Sequence, residues 1–344
     1  MKQPVARLLL SSLLVGCSVE SAAVDPQPAA DVDLPSPSAK APFNSRGIQS
    51  NVFTLDGAGR LAVQTNLDAE FVVWPPSQGV TLVNAPAAVS WAPNRIDVFA
   101  VTTAGMLQHY ATADGGLTSY ADNWGSMPGF PFDSTTTCDA TSWGPGRLDV
   151  FCLGWAGGRQ SIVHRWYDAA SGGGWETLPS LPFGLTYRAN GVAAASWGPG
   201  RLDVWIIDQG ASPHKLRHAG TSSASGTGGW GWDTWSEGTF TSAPDATAVA
   251  GQQYEIIARC VDGGTKLCRW TYRPSNGLQV QKVNLLFDWS TARKPSVVGF
   301  GLSKSRVAIV DQCWLTILDY PLYTINTRRW IGCDLQNTAD ITSY

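Results

Sequence analysis

The chain has little charge, and no large excess of either sign. Charged residues make up 15% of its 344 residues, against about a quarter in an ordinary soluble domain. With a formal net charge of −3, no basic face is available for nucleic acid or anionic lipid. No apolar run approaches the roughly 20 residues of a membrane-crossing helix. Histidine is scarce, at four. Of these, His214 and His218 have a ligand-like spacing, but Lys215-Leu216-Arg217 between them supplies no acid, so no metal site is expected. Catalytic signatures are missing too. There is no Gly-x-Ser-x-Gly, and the glycine runs at 172–174 and 226–229 lack the Lys-Ser/Thr of a phosphate loop.

Glycine (36) and tryptophan (16) are plentiful, a composition that suits short strands, tight turns and buried aromatics. One ten-residue stretch organises them. SWGPGRLDVF at 142–151 returns as SWGPGRLDVW at 196–205 and as SWAPNRIDVF at 90–99. Taking Asp-Val-Phe as the phase marker, copies fall at Asn51, Asp97, Asp149, Asp203, Glu255 and Ala308, with offsets of 46, 52, 54, 52 and 53 residues. A repeat of this length belongs to propeller-like architectures.

Each copy reads as hairpins. Cys138 to Trp143 is a first strand, and Gly144-Pro145-Gly146-Arg147 fits a type II turn, with Pro presetting φ and Gly supplying the positive φ. Leu148 to Leu153 is a second strand, apolar on both faces except for Asp149, as a strand covered on both sides must be. Ile162 to Tyr167 and Trp175 to Leu178 are the third and fourth, and Asp114-Gly115 and Asp262-Gly263 mark further turns. The expected fold is all-β: a β-propeller of four-stranded antiparallel blades over 43–344, six blades with seven as the alternative, because 43–89 repeats least clearly.

The N-terminus reads as an export signal. Lys2 and Arg7 precede an apolar region from Leu8 to Gly16, and Leu14-Val15-Gly16-Cys17 has the form of a lipobox whose Cys17 would carry lipid; the alternative is cleavage near residue 23. Residues 18–42 are rich in Pro, Ala, Ser and Asp and read as a disordered tether. The implied location is extracytoplasmic, on a lipid anchor. Six further cysteines suit an oxidising compartment. Cys138 and Cys152 are symmetric about Pro145, Cys260 and Cys268 flank a turn, and Cys313 is left to pair with Cys333.

Arg95 and Asp97, Arg147 and Asp149, and Arg201 and Asp203 each lie two residues apart, on one strand face, and are expected to pair structurally. Repetition argues against catalysis, which needs different groups converging once. Sugar binding is the better use of the tryptophans, because indole faces stack on the C–H faces of sugar rings. The cluster Trp230-Gly231-Trp232-Asp233-Thr234-Trp235 is the first candidate, with Trp230 and Trp232 on one face and Trp235 on the other. Trp143 and Trp197, which follow the repeat phase as Trp91 does, are also candidates for sugar binding, with core or interblade packing as the alternative.

The SWGPGRLDVF repeat, followed by Ile162-Val163-His164-Arg165-Trp166-Tyr167 and Gly174-Trp175-Glu176, resembles the Photorhabdus lectin family across about residues 85–240. The resemblance implies a propeller that binds fucose or related, including O-methylated, sugars in shallow pockets between blades, without cofactor, metal or catalysis. It adds Trp166 and Trp175 to the candidates. Glycans or glycoconjugates are the expected partners, and avidity from several weak sites the expected mode. The fifth and sixth copies lose the Trp-Gly-Pro-Gly-Arg signature, so two or three working pockets are expected. The rival readings are a propeller glycoside hydrolase or lyase, with Tyr320, Tyr323 or Glu255 beside an arginine, and a protein-binding scaffold.

Overall fold

The computed structural model describes residues 50–344 except 66–70, 75–78, 93–94, 113–119, 128, 131, 134–135, 157–158, 180–190, 250–251, 262–264, 285–293, 300–304, 312–313, 320–323, 331–335 and 344. The expected leader and tether, Cys17, Cys313, Cys333 and the turns expected at Asp114-Gly115 and Asp262-Gly263 lie outside these residues.

Strands β1 (Ser50–Leu55), β2 (Leu61–Thr65) and β3 (Val72–Val73) open the fold. A second blade holds β4 (Ala87–Val89), β5 (Ile96–Val101), β6 (Leu107–Thr112) and β7 (Tyr120–Gly125). Blade 3 holds β8 (Thr137–Thr141), β9 (Arg147–Ala156), β10 (Arg159–Asp168) and β11 (Gly172–Thr177). Blade 4 holds β12 (Val192–Gly198), β13 (Arg201–Asp208), β14 (His214–Thr221) and β15 (Gly231–Gly238). Blade 5 holds β16 (Asp245–Val249), β17 (Gln253–Val261), β18 (Thr265–Arg273) and β19 (Gly277–Asn284). Blade 6 holds β20 (Ser296–Gly299), β21 (Ser305–Asp311), β22 (Trp314–Asp319) and β23 (Thr324–Trp330). The last strand, β24 (Gln336–Ser343), pairs antiparallel with β1 and completes blade 1.

Six four-stranded antiparallel sheets result, and all six repeat markers fall on the second strand of a blade. The innermost strands β4, β8, β12, β16, β20 and β24 touch in sequence and then meet again, which closes a ring. The weak repeat at 43–89 is explained by this closure: blade 1 takes its inner strand from the other end of the chain. No seventh blade occurs among the described residues.

The local geometry follows from the residues. Arg147 N–H donates to Gly144 C=O at 3.2 Å, and Gly146 takes a φ of 80°, the value a type II turn asks of its third residue. Cys138 stands opposite Cys152 in the β8–β9 register and bonds to it; Cys260 bonds to Cys268 across β17–β18. Apolar cores lie between blades: Phe99, Val101 and Phe132 meet Val150 and Cys152, while Trp205 and Ile207 meet Tyr254 and Ile256. That is why the second strands are apolar on both faces.

Candidate functional site

Asp and Phe of the repeat are two residues apart and so face the same side, where both touch a histidine of the third strand. Phe99 pairs in register with His109, Phe151 with His164 and Trp205 with His218. The rings stack, Phe99 on His109 at 4.7 Å and Phe151 on His164 at 4.3 Å. Each histidine then bridges two carboxylates. His109 Nε2 lies 2.9 Å from Asp97 and Nδ1 2.7 Å from Asp122. His164 lies 2.8 Å from both Asp149 and Glu176. His218 lies 2.6 Å from Asp203 and 2.8 Å from Asp233.

The inner carboxylates meet the repeat arginines. Arg147 Nε donates to Asp149 at 2.9 Å, Arg95 to Asp97 at 2.7 Å, and Arg201 to Asp203 at 2.5 Å. Asp97, Asp149 and Asp203 are fully buried. Tyr254 of blade 5 also donates its hydroxyl to Asp203. Each of blades 2, 3 and 4 therefore carries a row of Arg, Asp, His and Asp or Glu from the inner turn to the outer strand. Blade 5 keeps the row with its chemistry exchanged: Glu255 replaces the aspartate, Arg269 the histidine and Gln281 the outer acid. Ser305 of blade 6 donates to Glu255 at 2.7 Å.

The rows set the protonation of their members. Burial alone would push His109 down, but the hydrogen bonds and charges of Asp122 and Asp97 outweigh it and hold His109 above the ordinary histidine value. Burial is likewise overcome at His218 by Asp203 and Asp233. Asp122 and Glu176 resist the upward push of burial through His109 and His164 respectively, and both lie below the ordinary carboxylate value.

Beyond the outer carboxylates the interfaces diverge. Between blades 2 and 3, Trp124 donates its indole N–H to Asp122 at 3.1 Å and faces Tyr167 of blade 3 at 6.3 Å. Arg165 lies between the indoles of Trp124 and Trp175, 5.3 and 5.4 Å from their centroids. Between blades 4 and 5, Trp235 donates to Asp233 at 3.2 Å and faces Tyr272 at 5.0 Å. Asp122 and Asp233 are 51% and 59% exposed, so both interfaces present an acid, an indole and a phenol to solvent. The interface between blades 3 and 4 has Leu178 and Thr221 at the indole and phenol positions, and Glu176 is only 19% exposed.

The structure divides the Trp230–Trp235 cluster. Trp230 is buried, with its N–H on Glu176 at 3.1 Å, and Trp232 donates to the Pro179 carbonyl at 3.0 Å, so both serve the blade 3 side. Trp235 faces blade 5. The alternation expected from the sequence is thus observed, and it sends the three indoles of the candidate cluster to opposite interfaces. Trp143 and Trp197 lie over their own turn arginines, Arg147 at 4.2 Å and Arg201 at 5.3 Å, and Trp197 also stacks on Tyr254 at 4.3 Å. Trp166 packs beside His164 at 5.5 Å, and Trp175 against Phe132 at 5.9 Å.

The sequence reading passed over Asp122, Trp124, Arg165, Tyr167, Glu176, Asp233 and Tyr272, and with them the histidine rows. A signal was present: His109, His164 and His218 are 55 and 54 residues apart, the repeat period itself. Pairing His214 with His218 hid it. His214 instead lies 2.8 Å from the Phe240 carbonyl. On the inner strands, Asp139 accepts from Ala194 N–H at 2.7 Å and Asp245 from Val297 N–H at 2.6 Å, and Lys294 meets both acids. These axial carboxylates are thus tied into the ring. Tyr320 and Tyr323 lie outside the described residues.

No protein-family model matches the chain, and no curated protein does. Among solved structures, the fucose-recognising lectin of Aleuria aurantia, a six-bladed β-propeller, is similar at 17% identity and a TM-score of 0.59, over 84% of this chain and 93% of that one. BP39L lectin from Burkholderia pseudomallei is similar at 21% identity and a TM-score of 0.54, over 83% and 80%. SapL1 lectin, solved with α-methyl fucoside, is similar at 16% identity and a TM-score of 0.53, over 80% and 91%. The likeness establishes the propeller fold.

Proposed function

We propose that the protein is a carbohydrate-binding, non-catalytic propeller whose sugar sites are the clefts between blades 2 and 3 and between blades 4 and 5. The observation that carries this is the repeated trio of exposed acid, indole and phenol: Asp122, Trp124 and Tyr167 in one cleft, Asp233, Trp235 and Tyr272 in the other. An indole and a phenol offer flat faces to sugar C–H groups, and the acid accepts from hydroxyls. Because each acid is already oriented by a histidine and an indole N–H, little ordering is needed when a ligand arrives. The solved relatives in fold support the class, being lectins that recognise fucose or fucosides. Fucose or an O-methylated relative is the proposed sugar, in line with the resemblance to the Photorhabdus lectin family.

Catalysis is disfavoured by the rows themselves. Asp97, Asp149 and Asp203 are buried, and both ring nitrogens of His109, His164 and His218 are engaged, so none of these six groups is free to take a proton from a substrate. We also place the propeller outside the cytoplasm on a lipidated Cys17, in keeping with two disulfides among the described residues. Fatty-acid labelling lost in Cys17→Ser would support that placement. For the sugar sites, a broad glycan array should show a fucosylated or O-methylated ligand. Trp124→Ala and Trp235→Ala should each weaken binding by about 3–10-fold per site. A blank array would end the reading.

A further inference from the structure

We propose that the cleft between blades 3 and 4 is occupied by the protein's own chain, so that only two of the three clefts bordered by histidine rows accept ligand. The inference rests on the carbohydrate reading for its consequence, but not for its geometry. The occupant is the β14–β15 connection, 222–230. Its hydroxyls form a chain, Ser223 to Ser225 at 2.8 Å and Ser225 to Thr227 at 3.0 Å. Gly228 N–H donates to Glu176 Oε2 at 3.0 Å, and the Trp230 indole N–H to Oε1 at 3.1 Å. Both oxygens of the acid that opens to solvent in the other clefts are thereby taken.

Close packing confirms the seat. Gly226 is buried with φ 69°, and a Cβ placed on it would stand 2.5 Å from the Trp143 ring and 2.7 Å from Arg147 Nη2. Only glycine lets the backbone lie that near the Trp–Arg stack. Arg147 is consequently 4% exposed, against 15% for Arg95 and 25% for Arg201 at the open clefts. The ligand-facing residues differ in step: Leu178 and Thr221 stand where the open clefts hold an indole and a phenol. In all three of these clefts an indole N–H reaches the outer acid, but here Trp230 supplies it from the neighbouring blade. The segment presents two N–H donors to Glu176, where a bound sugar would present hydroxyls.

Two arms test this on the intact chain. Calorimetric titration with α-methyl fucoside should give two sites per chain. Tyr167→Ala should leave one, Tyr272→Ala one, and the double variant none, whereas Trp230→Phe should leave two. Three sites in the wild type, or a surviving site in the double variant, would overturn the occupied-cleft assignment. The second arm needs no sugar. The Gly228 amide should exchange with deuterium at least 100-fold slower than an open loop and lose that protection in Glu176→Gln. Loop-like exchange in the wild type would refute the occupancy, even in a protein that binds no sugar at all. Absent fucoside binding with a protected Gly228 would instead strike the lectin reading and leave the occupancy standing.

Discussion

Asp203→Asn is the most telling perturbation of the fold. Asp203 is fully buried and accepts from four donors: Arg201 Nε and Nη2, His218 Nε2 and the Tyr254 hydroxyl. Asparagine keeps the shape but brings one acceptor oxygen and an NH₂ that faces donors. Removing one partner of a buried charge network costs about 3–5 kcal/mol. Arg201 is a quarter exposed, so water relieves part of the loss and the lower value is expected. A chain of roughly 300 residues unfolds with about 0.6 kcal/mol/K of entropy, so about 3 kcal/mol lowers Tm by about 5 °C. Calorimetry and urea unfolding both read this, the second guarding against irreversible heating. Asp233→Asn, at the exposed end of the same row, should shift Tm by under about 2 °C. Equal, small shifts from the two variants would refute the claim that these rows hold the blades together.

Stability should peak in mildly acidic solution. His109 and His218 lie above the histidine value of 6.5 in the folded protein, so their contribution is complete below pH 6.5 and is lost as pH rises through the raised values. Asp122 and Glu176 lie below 3.8 and 4.5, so theirs is complete above those values and is lost as pH falls through the lowered ones. A Tm that climbs steadily from pH 6 to 9 would contradict this. Replacing Cys138 and Cys152 by Ala should cost about 3 kcal/mol from a separation of 14 residues, and Cys260 with Cys268 about 2.5 kcal/mol from 8; denaturant midpoints of the two double variants check the order. Tyr254→Phe should cost about 1.5–3 kcal/mol, as a hydrogen bond to a charged group does, and a double-mutant cycle with Asp203→Asn should show coupling, whereas strict additivity would mean that the hydroxyl and the acid act apart.

The repeat motif made the fold legible because each of its residues answers to a local rule. Pro145 and Gly146 make a turn wherever they occur, and Asp149 and Phe151 alternate onto one face by the geometry of any strand. Cys138 and Cys152 met because the turn between them fixes the register. The clefts were harder to read because they are made between blades, about 50 residues apart in sequence. Nothing near Trp124 says that Tyr167 will face it, and nothing near Glu176 announces Gly228. Trp230, Trp232 and Trp235 show the same limit: alternation along the strand divides them between two sides, but it does not say which blade each side meets. The histidines were legible only in the repeat phase, since each stacks under the aromatic of the motif.

The closure of the ring by β24 has a consequence for how the molecule comes into being. Blade 1 joins Phe53 to Asp340, residues separated by nearly the whole propeller. Such a pairing cannot form before the strand at 336–343 has been made, and contacts this distant slow folding. Until β24 arrives, β1 presents a bare row of N–H and C=O groups, the kind of edge on which chains aggregate. A nascent propeller of this design would therefore spend its most vulnerable interval five blades complete, with its first strand waiting for its last.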